Sequence, residues 1–151
     1  MIDQSVADFR LLATGGEAFG LSDARGKTLV LYFYPKDSTP GCTTEAQQFR
    51  DLHPEFVAAG CLVVGVSRDS LKSHENFRTK QNLPFALLSD GEEVLCQQFS
   101  VIKEKKLYGK LVRGIERSTF VIDGKGILRR AWRGVKVPDH AREVLDYVRT
   151  L

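Results

Sequence analysis

The sequence has few cysteines and no long hydrophobic run, and each shortage argues against a class of protein. Only Cys42, Cys61 and Cys96 occur among 151 residues, and no two form a CxxC pair. An odd, unpaired set argues against a secreted disulfide framework and indicates a reducing compartment, so we expect a cytoplasmic protein. No apolar run approaches the roughly 20 residues that span a bilayer. The N-terminal MIDQSVADF has neither the basic nor the apolar region of a signal peptide, so we expect no membrane association.

Metal-binding and nucleic-acid-binding patterns are also missing. His53, His74 and His140 are scattered, and no Cys/His spacing resembles a zinc site, so we expect neither a metal nor another cofactor. The formal net charge is only +3, and the one dense basic run, at 103–110, is interrupted by Glu104. No known binding motif accompanies this run, which favours a solvated loop over a nucleic-acid interface.

Hydrophobic periodicity and turn residues predict one α/β domain that spans 1–151. The continuous apolar runs TLVLYFY and CLVVGVS indicate strands buried on both faces, and FALLSD indicates a shorter strand. Two hairpins are expected, one around Gly15 and Gly16 and one at a tight Asp123-Gly124 turn. Strands that alternate with helices and then end in a hairpin predict a central mixed sheet with helices on both faces.

Four helices are predicted between these strands. The first runs from Cys42 towards Gly60, and the second runs over 70–81 with Leu71 and Phe77 inward. Asp90 and Glu93 predict a capping box for a short third helix that extends to Phe99, followed by a loop to about Arg117. Pro138 is expected in the first turn of the last helix, whose inward positions are Ala141, Val144, Leu145 and Val148.

Cys42 stands at the start of a predicted helix, behind Pro35 and Pro40. The first helical turn presents unpaired N–H groups and the positive end of the dipole, and both stabilise a thiolate. Thr39 precedes Cys42 by three residues, close enough in a turn to place its hydroxyl beside the sulfur. This pattern predicts a preorganised nucleophile, although free cysteines are more often small buried hydrophobes. The second interpretation is the one that we adopt for Cys61, which opens an apolar strand.

Pro35, Thr39 and Cys42 spell P-x-x-x-T-x-x-C within FYPKDSTPGCTTE, which resembles the active-site signature of the peroxiredoxins. More narrowly, it resembles the peroxiredoxin Q group, also called bacterioferritin comigratory proteins. The segments GVSRDSLKSHENFRTKQNLPFALLSD and YGKLVRGIERSTFVID resemble later parts of that family in the same order. The resemblance covers almost the whole chain. It implies a thioredoxin-like fold with an N-terminal β-hairpin, and reduction of hydrogen peroxide and organic hydroperoxides.

The resemblance also implies roles for individual residues. Cys42 would be the peroxidatic cysteine, Thr39 would orient the peroxide oxygens, and Arg117 would stabilise the thiolate and the departing oxygen. Pro35 would shield the pocket from water, and Glu45 would orient Arg117. Fixed donors aimed at developing charge lower a barrier, which agrees with these roles. From its own sequence context, Arg117 would have been interpreted as a surface charge at the start of a strand.

The two positions at which members of the family usually carry a resolving cysteine hold other residues here. Gln47 lies five residues after Cys42, and the segment SHENFRTKQ contains no cysteine. We therefore expect a one-cysteine mechanism, in which an external thiol reduces the sulfenic acid. Glutathione, glutaredoxin or thioredoxin would be that partner. The alternative is a disulfide with Cys96, which would require part of the Cys42 helix to unwind.

Two other functions remain open at this point. A thioredoxin-like binding or chaperone module would keep the fold without turnover, but the joint presence of Pro35, Thr39, Cys42 and Arg117 disfavours it. A Cys–His hydrolase would need a histidine placed as a base, and no histidine stands in such a context. The chain is expected to be a monomer, as is common in the group that it resembles.

Overall fold

A computed structural model describes residues 2–151. In chain order the elements are β1 (Arg10–Leu12), β2 (Ala18–Gly20), a 3-10 helix (Leu21–Ala24), β3 (Thr28–Phe33), α1 (Pro40–Ala58), β4 (Cys61–Ser67), α2 (Leu71–Gln81), β5 (Ala86–Ser89), α3 (Val94–Gln98), β6 (Ile102–Leu107), β7 (Lys110–Ile115), β8 (Ser118–Ile122), β9 (Leu128–Arg133) and α4 (His140–Val148).

Five strands form a central mixed sheet in the order β5-β4-β3-β8-β9. Strand β3 pairs in parallel with β4 and antiparallel with β8, and β9 continues the antiparallel side. The apolar runs that predicted β3 and β4 occupy the middle of this sheet, where both faces are covered. The predicted mixed sheet is therefore confirmed.

The two faces of the sheet bury two separate hydrophobic clusters. Successive side chains of a strand point to opposite faces, so Tyr32 lies in one cluster and Phe33 in the other. The first cluster contains apolar side chains of α1, α2 and α4. The second contains those of α3 and of the N-terminal segment that includes β1 and β2. Helices on both faces are thus confirmed, and each cysteine belongs to one face.

The N-terminal hairpin is present as predicted. Strands β1 and β2 pair antiparallel, and the loop between them contains Gly15 and Gly16, both with positive φ. Glycine adopts this conformation without steric cost, which explains why the chain turns here. Ala13 forms a bridge with Leu88 of β5, so the hairpin covers one edge of the central sheet.

The prediction of a loop before Arg117 was wrong. This region forms a second antiparallel hairpin, made of β6 and β7. Its turn is Tyr108-Gly109, with positive φ at both residues, and the Tyr108 side chain is 96% exposed. Most of the hairpin is solvated on both faces. It therefore lacks the alternation of apolar and polar residues by which strands are detected in sequences. The lysines of this region are solvated as expected, but on strands.

The helix starts also differ in detail from those predicted. Glu93 is the N-cap of α3 and makes no side-chain capping bond, while the Asp90 carboxylate accepts the N–H of Cys96 at 2.7 Å. The predicted capping box is therefore wrong, since Asp90 reaches deeper into the helix. Pro138 lies in the turn before α4, which begins at His140 behind the N-cap Asp139.

Two further expectations need correction. The turn between β8 and β9 spans 123–127 rather than two residues, because the Asp123 carboxylate accepts the N–H groups of Lys125 and Ile127. In α2 the buried residues are His74 and Phe77, whereas Leu71 is half-buried. Within residues 2–151, no helix combines the length and apolar character needed to cross a membrane.

Candidate active site

Cys42 is the third residue of α1, at the point where the chain leaves the end of β3. Thr39 is the N-cap and Pro40 the first helical residue, where its missing N–H removes no hydrogen bond. The first backbone bond of the helix runs from the N–H of Thr43 to the carbonyl of Thr39, at 2.8 Å. The amides of Gly41 and Cys42 precede this bond, so they remain available to an anion. The Cys42 side chain is almost enclosed, since the residue is 2% exposed.

Arg117 approaches the sulfur from the segment between β7 and β8. Its Nη2 donates to Cys42 Sγ at 3.3 Å, and its Nη1 donates to Glu45 Oε1 at 2.7 Å. Burial lowers the pKa of Arg117, but the charges of Glu45 and Cys42 outweigh this effect and raise it above its ordinary value. The fixed fork of a guanidinium can hold both contacts at once. The sulfur therefore faces a permanent, oriented positive charge.

Gly41 permits this close approach, and sequence reasoning had passed over it. A Cβ atom at Gly41 would lie 3.3 Å from Arg117 Nη2, closer than ordinary van der Waals contact. Its only sequence signal is its place between Pro40 and Cys42, where a Pro-Gly pair is typical of a turn. The residue instead lies in α1 and leaves space for the guanidinium.

Glu45 lies one turn after Cys42 and is fully buried. Burial raises the pKa of Glu45 to about 7, although the charge and hydrogen bond of Arg117 act in the opposite direction. Its Oε2 has no hydrogen-bond partner among the described residues. The carboxylate therefore has Arg117 as its one stabilising contact, and the two side chains fix each other.

The protonation of Glu45 gives the first testable prediction. A raised pKa means that folding favours the protonated carboxyl, so this contribution to stability is full below the ordinary pKa and is lost as pH rises through about 7. We expect Glu45→Gln to remove that loss. Relative to wild type, the variant should gain on the order of 3 kcal/mol between pH 4 and pH 9, measured by urea unfolding at both values. A difference between the two proteins that does not change with pH would contradict this assignment.

The other predicted site residues, Thr39 and Pro35, lie on the loop that joins β3 to α1. The Thr39 hydroxyl donates to the carbonyl of Lys36 at 2.8 Å, so its oxygen is left to accept a hydrogen bond from a ligand. Pro35 is exposed just after β3, on the loop that leads to Thr39. A donor role for the Thr39 hydroxyl towards the peroxide oxygens would compete with this bond, so the contact with Lys36 favours an acceptor role.

None of the three histidines is hydrogen-bonded to Cys42, and all three lie in the described part of the chain. His74 contacts Asp37 and the carbonyl of Leu88. His140 contacts Thr119, and His53 lies against the ring of Phe85. The base that a Cys–His hydrolase requires is therefore missing from the site.

The remaining cysteines lie away from Cys42. Cys96 is fully buried on α3 in the cluster on the opposite face of the sheet, and burial followed by the charge of Asp90 raises its pKa. Cys61 shares a face with Cys42 but begins β4, at the opposite end of the sheet from the start of α1. Burial raises the pKa of Cys61 to about 11, as suits a core residue. All three cysteines are free thiols.

Comparison with known proteins identifies the family of this chain. A model of the AhpC/TSA family matches residues 2–131. The chain belongs to the AhpC/TSA family of peroxiredoxins. Peroxiredoxin Bcp from Xanthomonas campestris pv. campestris is 56% identical over 138 residues, which cover 91% of this peroxiredoxin and 86% of the relative. Peroxiredoxin Bcp from Bacillus subtilis is 51% identical over 150 residues, with 99% and 96% coverage.

Solved structures agree with the sequence comparison. A cysteine-to-serine mutant of PrxQ from Xylella fastidiosa superposes with a TM-score of 0.94 at 45% identity, covering 99% of this chain and 96% of that one. The bacterioferritin comigratory protein of Xanthomonas campestris gives a TM-score of 0.91 at 54% identity, with 94% and 90% coverage. The resemblance to the peroxiredoxin Q group and the thioredoxin-like fold are both confirmed. The protein is a thiol-dependent peroxidase.

Proposed function

We propose that this peroxiredoxin reduces hydroperoxides by direct attack of the Cys42 thiolate on the peroxide. The sulfur bonds to the terminal oxygen of ROOH, the O–O bond breaks, and the departing RO⁻ takes up a proton to become ROH. The oxygen that is transferred keeps its hydrogen, so Cys42 is oxidised to a sulfenic acid. The observation that carries this proposal is the guanidinium of Arg117, held 3.3 Å from Sγ by its second contact with Glu45.

The roles of the surrounding groups follow from the movement of charge. Negative charge passes from sulfur to the departing oxygen, so donors fixed beside that path stabilise the transition state. Arg117 and the amide of Cys42 are such donors. The Thr39 hydroxyl oxygen accepts a hydrogen bond from the O–H group of the peroxide, because the hydroxyl's own hydrogen is donated to the carbonyl of Lys36. Pro35 shields the loop side of the pocket from water.

The substrates that we propose are hydrogen peroxide and organic hydroperoxides. A solved structure of the bacterioferritin comigratory protein of Xanthomonas campestris, whose sequence is 54% identical to this chain, addresses the alkyl peroxide reduction activity of that protein. The residues of the site act only on the peroxide group, so the proposed chemistry does not depend on the organic substituent.

The sulfenic acid is proposed to be reduced by an external thiol. Its sulfur condenses with R′SH to give a mixed disulfide and water, and a second thiol releases R′SSR′ and the Cys42 thiol. Cys96 would have to cross from the other face of the sheet, and bridged cysteines need Cα atoms within about 7 Å. The position of Cys96 therefore supports the one-cysteine mechanism. Glutathione, glutaredoxin or thioredoxin would supply the thiol.

Intact-mass analysis after one equivalent of peroxide, with a sulfenic-acid trap and no reductant, tests this mechanism. We expect a single trapped adduct that maps to Cys42, with Cys61 and Cys96 still free. The matched control is Cys96→Ala, which should give the same adduct yield as wild type. A protein that instead loses two hydrogens, and maps to a Cys42–Cys96 bridge, would show that Cys96 is the resolving cysteine.

We also infer that residues 1–151 act as a single domain, as a monomer, in the cytoplasm. Both hydrophobic clusters share the same central sheet, which supports one domain. Strand β9 carries Arg129, Arg130 and Arg133 at one edge of this sheet, and charged edge strands oppose pairing with a second copy. Three free cysteines suit a reducing compartment.

A further inference from the structure

Asp37 lies in the loop that joins β3 to the Cys42 helix, and its side chain points into the protein. The residue is 5% exposed, although it sits in a polar turn of the sequence. The same loop carries Thr39, the N-cap of α1. Contacts that fix Asp37 therefore also restrict the position of Thr39 and the start of α1.

Four contacts surround Asp37. Its Oδ1 accepts from the Tyr34 hydroxyl at 2.6 Å, and its Oδ2 accepts from the Ser73 hydroxyl at 2.8 Å. The same Oδ2 lies 2.6 Å from Nδ1 of His74, and the backbone N–H of Asp37 donates to Asp69 at 2.9 Å. Ser73 and His74 belong to the first turns of α2. The loop is thus fastened to a different helix from the one that it leads into.

The contacts stabilise the ionised form of the Asp37 carboxylate. Burial raises the pKa of Asp37, but hydrogen bonds from His74, Tyr34 and Ser73 outweigh this effect and lower it below its ordinary value. Nε2 of His74 lies 2.8 Å from the carbonyl oxygen of Leu88, which only accepts, so Nε2 carries a hydrogen. Both partners are buried, which makes the loss of either one costly.

The other end of α2 is attached to α1 itself. Gln47 donates through its side chain to the side chain of Gln81 at 3.0 Å, and Arg50 donates to the Gln81 carbonyl at 2.9 Å. Helix α2 therefore contacts the loop before Cys42 at one end and the helix after Cys42 at the other. Cys42 lies between these two points of attachment.

We propose that Asp37 and His74 are positioning residues, which hold the 34–39 loop against α2 so that Thr39 and the first turn of α1 keep the geometry in which Cys42 attacks peroxide. The proposal rests on the peroxidase function of Cys42. Neither residue touches the sulfur, and both act through the backbone of the loop. A displacement of about 1 Å in a reacting group can cost on the order of a hundredfold in rate, so a loosened loop would be measurable.

The test compares Asp37→Asn with wild type in two measurements. The second-order rate constant for peroxide consumption should fall on the order of 10- to 100-fold. Hydrogen exchange of the amides of residues 34–46 should accelerate on the order of a hundredfold, while amides of α4 change little, because only the loop is released. An unchanged rate constant, or exchange that rises equally throughout the chain, would overturn the proposal.

Partner variants make the test specific to the pair. His74→Asn should reproduce both effects, and the double variant should be no worse than either single one, since coupled residues are not additive. Lys72→Ala, on the same helix and outside the network, is the matched control and should behave as wild type. Additive effects of the two single variants would contradict the proposed coupling.

Two milder variants cover the case in which Asp37→Asn does not fold. Tyr34→Phe and Ser73→Ala each remove one hydrogen bond to Asp37 and should each lower the rate constant severalfold. If the rate constant is unchanged in both variants, the proposal is overturned. Hydrogen exchange is measured without peroxide, so the protection of the loop can be assessed even if the wild-type protein consumes no peroxide. A wild-type protein that consumes no peroxide would count against the peroxidase function, not against the role of Asp37 in holding the loop.

Discussion

A Cys42→Ser variant is expected to consume no hydroperoxide above the uncatalysed rate, a loss on the order of a millionfold. The thiolate is the nucleophile in thiol chemistry, and a serine hydroxyl beside Arg117 remains protonated at neutral pH. The substitution keeps the shape of the side chain, so the fold should be unchanged by circular dichroism. Peroxide loss in a coupled thiol assay and direct peroxide titration would both be measured, since the first depends on the reductant and the second does not.

The two other cysteines provide the controls for this experiment. Cys61→Ala and Cys96→Ala alter buried residues that lie away from the site, and each should retain turnover close to that of wild type. Peroxide consumption by Cys42→Ser at a rate similar to wild type would refute the assignment of the nucleophile. Loss of turnover in Cys96→Ala alone, with Cys42 still oxidised, would favour the two-cysteine alternative.

Replacement of Arg117 by lysine is expected to lower the second-order rate constant with peroxide by about a hundredfold. The guanidinium contacts Cys42 and Glu45 through different nitrogens, whereas an ammonium group is a point charge that cannot span both in the same orientation. The positive charge remains, so the loss measures orientation rather than net charge. Stopped-flow measurement of the first turnover isolates this step from the reduction by external thiol.

Arg113→Lys is the matched control for this prediction. Arg113 lies four residues earlier on β7 and pairs with Glu93, on α3's N-terminal side, instead of with the active-site carboxylate. It should leave the rate constant unchanged. If Arg117→Lys reacts as fast as wild type, the oriented contact with both Cys42 and Glu45 has no role in the peroxide step, and a positive charge near the helix start is enough to activate the sulfur.

The local sequence was sufficient to predict the buried strands and to single out Cys42 as the proposed nucleophile. The runs that became β3 and β4 are apolar without interruption, and this pattern follows directly from burial on both faces. The place of Cys42 at a helix start was also local information, since Thr39 and Pro40 are its close neighbours in the chain. The hairpin of β6 and β7 was not predicted, because strands that are exposed on both faces do not show the alternation of apolar and polar residues by which strands are detected.

The partners of the site were decided only by the tertiary structure. Arg117 is 75 residues from Cys42 and 72 from Glu45, and its contacts exist because the sheet brings β8 beside β3. Asp37 and His74 lie 37 residues apart, and their sequence contexts read as a polar turn and a surface helix. The opposite locations of Cys42 and Cys96 follow from the two faces of the sheet. Local propensity determines which residues form an element, whereas contacts between distant residues depend on how elements pack, and no short stretch of sequence contains that information.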